Sequence, residues 1–154
     1  MFAIATSGNI VKLYDLRTFD QGPFVTFVIK TREVDFTGMK FSPDGKYILL
    51  STSENLIFLI DSFEGHKLQE FATFVNRQNS TLEASFSPDS QFVLSGSEDG
   101  KIYIWSTQSG AEVTSWEQGK NAVNCVKWNP KSCMVASSCQ KELAFWILPP
   151  SDDQ

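Results

Sequence analysis

The chain has 154 residues, 42% hydrophobic and 20% charged, a makeup that suits a compact globular unit with one core. Its formal net charge of -5, from 13 basic and 18 acidic residues, argues against a phosphate-backbone binder, which needs a basic surface. No apolar run approaches the roughly 18 residues of a membrane span, and Met1–Gly8 has neither the positive flank nor the long apolar stretch of a signal peptide. Cys125, Cys133 and Cys139 are irregularly spaced, and the expectation is reduced core thiols in an intracellular protein.

Strand signals begin at once. Phe2–Thr6, Asn9–Asp15 and Phe24–Ile29 are three strand segments separated by turn residues. Four more follow at Phe36–Phe41, Tyr47–Thr52, Asn55–Asp61 and His66–Phe71. Leu56-Ile57-Phe58-Leu59-Ile60 is apolar on both faces, as a strand is when sheets cover it from either side. The clearest copy starts at Leu82–Phe86 and turns at Ser87-Pro88-Asp89-Ser90, where proline presets φ and Asp and Ser supply side-chain turn bonds. Phe92–Ser97, the Asp99-Gly100 hairpin step, Lys101–Trp105 and the more polar Ala111–Trp116 complete it. Ala122–Trp128, Met134–Ser138 and Leu143–Leu148 close the series.

Three segments are variants of one another: Phe41-Ser42-Pro43-Asp44-Gly45, Phe86-Ser87-Pro88-Asp89-Ser90 and Trp128-Asn129-Pro130-Lys131-Ser132. A period of roughly 40–45 residues with four strands in each copy predicts an all-β propeller. The strands fall into groups of three, four, four and three, so the expected architecture is a partial propeller over residues 1–149. Its complete blades are 36–73 and 82–116, its blade remnants 1–30 and 122–148, and 150–154 is a short tail. Two blade faces would be left open, which leaves two readings: further sequence upstream, or a partner that covers them.

No catalytic constellation stands out. His66 is the only histidine and has neither a triad nor a metal set around it. A propeller hydrolase would need convergent carboxylates, Arg or His near the central channel, where the inner strands carry mostly apolar or small residues. Asn79-Ser80-Thr81 fits a glycosylation sequon but reads as a plain loop, and Gly96–Gly100 is a hairpin turn rather than a nucleophile elbow. Asp99 is expected to anchor its turn through side-chain bonds to backbone N–H groups, with Asn9 and Asn55 in the matching turns. The loops Lys30–Glu33, Phe74–Asn79 and Glu117–Asn121 should share a rim with these turns. Arg32, Arg77 and Lys120 on them are candidates for an acidic or phosphorylated peptide.

The third strands end in Tyr14-Asp15, Ile60-Asp61, Trp105-Ser106 and Trp146-Ile147, where WD repeats write their Trp-Asp signature, though no literal pair occurs. Asp15, Asp61, Asp99, Trp105 and Trp146 are therefore the expected structural repeat positions. Val11–Phe24, Leu82–Phe92, Gly96–Ile102 and Leu143–Ile147 resemble the WD repeat-containing protein 82 family, the Swd-two type subunit of COMPASS histone methyltransferase complexes. The match is to the C-terminal half of a seven-bladed member. The resemblance implies a non-catalytic nuclear scaffold without a cofactor, bound to protein subunits rather than to nucleic acid or membrane. It implies membership of a histone H3 lysine methyltransferase complex recruited to the phosphorylated tail of RNA polymerase II. A protein phosphatase one complex acting at transcription termination is implied as well.

Overall fold

The computed structural model describes residues 1–73 and 82–147, and these form four antiparallel sheets. The first holds β1 (Phe2–Thr6), β2 (Ile10–Tyr14) and β3 (Val25–Val28). The second is β4 (Phe36–Phe41), β5 (Tyr47–Thr52), β6 (Leu56–Asp61) and β7 (Lys67–Ala72). The third is β8 (Ala84–Phe86), β9 (Phe92–Gly96), β10 (Lys101–Ser106) and β11 (Glu112–Glu117). The fourth is β12 (Cys125–Trp128), β13 (Met134–Cys139) and β14 (Glu142–Ile147). Each sheet is a plain up-and-down meander, the arrangement that short turns between consecutive strands allow. A 3-10 turn at Phe19–Gln21, unforeseen in the sequence, interrupts the long connection before β3.

Alternation within strands decides how the sheets stack. In β2, Val11 and Leu13 point one way and join Phe27, Ile48, Leu50, Phe58 and Ile60 between the first and second sheets. The opposite face of the second sheet presents Leu49, Ile57, Leu59 and Phe71 to Ala84, Phe86, Val93 and Trp105 of the third. Leu94, Ile102 and Ile104 then meet Val126, Val135 and Cys139 of the fourth. The core is thus three successive inter-sheet layers rather than one centre. Residues Ile57–Ile60 are all buried because sheets lie on both sides of β6.

The repeated Ser-Pro-Asp segments build one turn. Ser42 Oγ donates to Asp44 Oδ1 at 2.6 Å and accepts from Tyr47 N at 2.9 Å, while Asp44 Oδ1 also accepts from Lys46 N. Ser87, Asp89, Gln91 and Phe92 repeat that network at 2.5, 3.0 and 2.9 Å. The fourth position of the turn is left-handed in both, Gly45 at φ 74° and Ser90 at φ 63°.

The cysteines depart from the expectation of core thiols. Only Cys139 is buried. Cys125 is half-buried and Cys133 exposed, because β12 turns Cys125 to the sheet's outer face and Cys133 sits in the turn before β13.

Candidate protein-interaction surface

The second-to-third-strand turns and the loops joining one sheet to the next lie on a common rim, held together by specific bonds. Asn9, at φ 58° and buried, donates through Nδ2 to the carbonyls of Thr31 and Arg32 at 3.3 and 2.9 Å. Its Oδ1 accepts from Val34 N at 3.4 Å. A side chain that pairs three backbone groups fixes the 30–34 loop as a fold element would. Asn55 takes the same conformation, φ 60°, in the second sheet's turn.

Arg32 leaves that loop and pairs with Glu54 at 2.5 Å, in the neighbouring sheet's turn. Its charge is therefore already matched, unlike the open cation that an anion-binding candidate calls for. Lys120 lies exposed on the loop after β11. Arg77 falls outside the described residues, as do the other residues of 74–81.

The Lys120 loop is set by the turn beneath it. Gln118 N and Gly119 N both donate to Gly100 O, and Val123 N donates to Ser97 O. Gly100 has φ 82°, and a Cβ there would stand 1.8 Å from Gly119 O, so only glycine permits the approach. Asp99 Oδ1 accepts from Lys101 N at 3.1 Å and Oδ2 accepts from the Tyr103 hydroxyl at 2.7 Å. Burial, then the Asp99 carboxylate, pushes the Tyr103 phenol up to about 12.

Asp15 and Asp61 sit at third-strand ends, where they organise the following turn. Asp61 Oδ1 accepts from Phe63 N and Glu64 N at 2.7 and 2.8 Å. Asp15 accepts from Arg17 N and takes the Arg17 guanidinium in a forked pair, which holds its carboxyl far below the usual range. Trp105 stacks on Phe71 and Tyr103 at 5.4 and 5.6 Å inside the layer between the second and third sheets.

Trp146 belongs to a relay that sequence reading missed. Its indole Nε1 donates to Ser137 Oγ at 2.7 Å, and Ser137 donates in turn to Gln118 Oε1 at 2.5 Å. The signal was present as a serine two residues from direct register, and so on the same face as a third-strand tryptophan, since Val135 faces Trp146 and Ser137 faces Ala144.

The inner strands, whose residues read in the sequence as mostly apolar or small, also hold a charged cluster that the sequence did not announce. Glu83, just before β8, accepts from Lys127 of β12 at 2.5 Å and lies 3.5 Å from Lys40 of β4. Lys40 Nζ donates to Ala84 O at 2.6 Å. One carboxylate thus ties three adjacent sheets. Burial, then the nearby Lys127, lowers the Lys40 ammonium, while Lys127, Glu83's main partner, holds the carboxyl down. Cys125 Sγ lies 3.5 Å from Glu83, and burial, then that carboxylate, pushes its thiol up.

Among the described residues no group of three or more His, Cys, Asp or Glu side chains could hold a metal ion. His66 is exposed beside Glu64, Nδ1 to Oε2 3.2 Å.

The family model for the WD domain, G-beta repeat, matches residues 57–106 and 110–146. The chain belongs to the WD-repeat family. It is 48% identical over 155 residues to WD repeat-containing protein 82 of Drosophila melanogaster, covering 99% of this chain and 48% of that protein. It is 33% identical over 114 residues to COMPASS component SWD2 of Saccharomyces cerevisiae, covering 69% of this chain and 34% of that protein. The resemblance noted in the sequence therefore holds. The crystal structure of the Cps50 (Swd1) β-propeller domain from Myceliophteria thermophila superposes with TM-score 0.77 at 17% identity, over 95% of this chain and 50% of that one. That likeness shows the propeller fold. The chain spans about half the length of the curated relatives it matches first.

Proposed function

We propose that this chain is a non-catalytic WD-repeat scaffold whose rim loops hold protein subunits of a nuclear chromatin complex, a COMPASS-type histone H3 lysine methyltransferase in the first place. The observation that carries this reading is its similarity to a protein named as a COMPASS component, joined to 48% identity with WD repeat-containing protein 82. The rim supports it. Its turns and loops are bonded into fixed positions by Asn9 and Gly100, which presents a pre-set surface rather than one ordered on binding.

Asp15, Asp61, Asp99, Trp105 and Trp146 serve in this reading as repeat positions that stiffen turns and layers, and residues 1–149 act as one partial propeller. Lys120 is the rim cation open to an acidic or phosphorylated segment, which includes contact with the RNA polymerase II tail through the complex. Arg32 contributes only if the partner displaces Glu54.

Affinity purification of the tagged chain from nuclear extract, followed by mass spectrometry, tests the reading. Methyltransferase subunits should copurify, and Lys120→Glu should reduce their recovery. Recovery of protein phosphatase one subunits instead would assign the chain to the second complex, and recovery of neither would overturn the scaffold role.

A further inference from the structure

The strand ends away from the rim carry the three repeated turns, and neighbouring turns are bridged in one case and not in the other. Between the second and third sheets, Asp44 N donates to Ser90 Oγ at 3.2 Å. Their counterparts one sheet on, Asp89 and Ser132, are both exposed, and among the described residues no bond joins them. Between these two turns runs a groove of about 310 Å³. Pro88 and Phe92 wall it on one side, and Trp128, Pro130, Lys131 and Cys133 on the other. Phe92 and Trp128 are half-buried, resting on the layer that holds Leu94 and Val126.

The fourth sheet's turn differs from its two relatives in charge. Where they carry Asp44 and Asp89, it carries Lys131, exposed and paired with no described carboxylate. An apolar slot with aromatic walls and one cation at its lip suits a segment that brings proline rings followed by an acidic group. The sequence supplies such a segment at the mouth of the groove. β14 ends at Ile147, opposite Met134 in register, and Cys133 of the groove wall is the neighbour of Met134. The residues that follow, outside the described ones, are Leu148-Pro149-Pro150-Ser151-Asp152-Asp153-Gln154.

Going beyond the scaffold role and independently of it, we propose that this segment is the groove's occupant, with Pro149 and Pro150 packed between Phe92 and Trp128 and the Asp152-Asp153 pair set against Lys131. Adjacent strands lie about 4.8 Å apart, so the groove wall is one or two such spacings from Ile147. The seven residues after Ile147 reach about 23 Å when extended. Proline rings bring apolar area and no amide N–H that the groove would leave unpaired. Asp89 stands on the opposite wall, its Oδ1 held by Ser87 and Gln91, and repels acidic residues toward Lys131. Because the segment is tethered beside the groove, a contact too weak to last between separate molecules is enough to seat it. A partner that uses this end of the sheets must first displace it.

Nuclear Overhauser contacts in the isotope-labelled full chain test this. Contacts are expected from the Pro149 and Pro150 ring protons to the Trp128 indole. Lys131→Glu should weaken them, and adding Asp152→Lys and Asp153→Lys should restore them. All three positions lie off the strands, so the fold is not at stake. In a sample that mixes labelled with unlabelled chain, the contacts should stay within one chain. Their absence from the folded chain, their persistence at full strength in Lys131→Glu, or failure of the charge exchange to restore them would overturn the proposal. Contacts between labelled and unlabelled chains would overturn it as well, by giving the groove to the segment of a second copy.

Discussion

Trp146 and Gln118 are joined through a single hydroxyl, that of Ser137, which accepts from the indole at 2.7 Å and donates to the amide at 2.5 Å. The relay links the third strand of the last sheet to the rim loop that carries Lys120. Ser137→Ala leaves a half-buried indole N–H without its acceptor, and the expected cost is about 1 kcal/mol. Urea denaturation followed by tryptophan fluorescence measures it. The same variant should speed amide exchange at Gly119 and Lys120, since Gln118 loses its tether.

Gly100 and Gly45 both occupy the left-handed region, at φ 82° and 74°, yet their surroundings differ. A Cβ at Gly45 meets nothing within 4 Å, whereas one at Gly100 would collide with Gly119 O. Gly45→Ala should therefore cost only the conformational penalty of about 1 kcal/mol. Gly100→Ala should cost clearly more, because the rim loop must move as well. Thermal melts of the two variants side by side check the ordering.

Much of this was legible in the sequence because its causes are local. The Ser-Pro-Asp turns close through side chains two to five residues apart, so Ser42 with Asp44 and Ser87 with Asp89 announced themselves as turns. Strand order followed from alternation and from Gly and Asn at the hairpins. The contacts that set the rim and the inner wall were hidden, because they join residues far apart in the chain. Asn9 reaches Arg32 across 23 positions, and Glu83 reaches Lys127 across 44. Arg32 read as an open cation since nothing local shows that Glu54 comes beside it. The cysteines were misplaced because alternation tells which residues share a face, not which of two faces a sheet leaves open.

The Lys40, Glu83 and Lys127 cluster predicts a pH dependence of defined sign. Lys127 first, and Lys40 beside it, hold the Glu83 carboxyl below its ordinary value of 4.5 in the folded chain. Its contribution is full above that value and is lost as pH falls through the lower folded one. Glu83→Gln should lower stability at neutral pH by about 1 kcal/mol, a modest loss because such partly exposed pairs are screened by water. It should also flatten the loss of stability below pH 4.5, measured as melting temperature against pH. An unchanged acid limb would remove Glu83 from the account.

Two substitutions at Asn9 separate backbone conformation from hydrogen bonding. Asn9→Gly keeps φ near 58° without strain but deletes the bonds to Thr31, Arg32 and Val34. Asn9→Ala deletes the same bonds and adds the left-handed penalty of about 1–2 kcal/mol. Loss of the clamp alone should cost about 1–3 kcal/mol, given that the carbonyls at the loop can turn partly to water. The glycine variant should thus melt between the native chain and the alanine variant. Both should loosen the 30–34 loop, which hydrogen exchange at Val34 reports directly. Were alanine and glycine to melt together, φ would carry no weight at this turn, and the side-chain bonds alone would hold the first sheet's loop against the second.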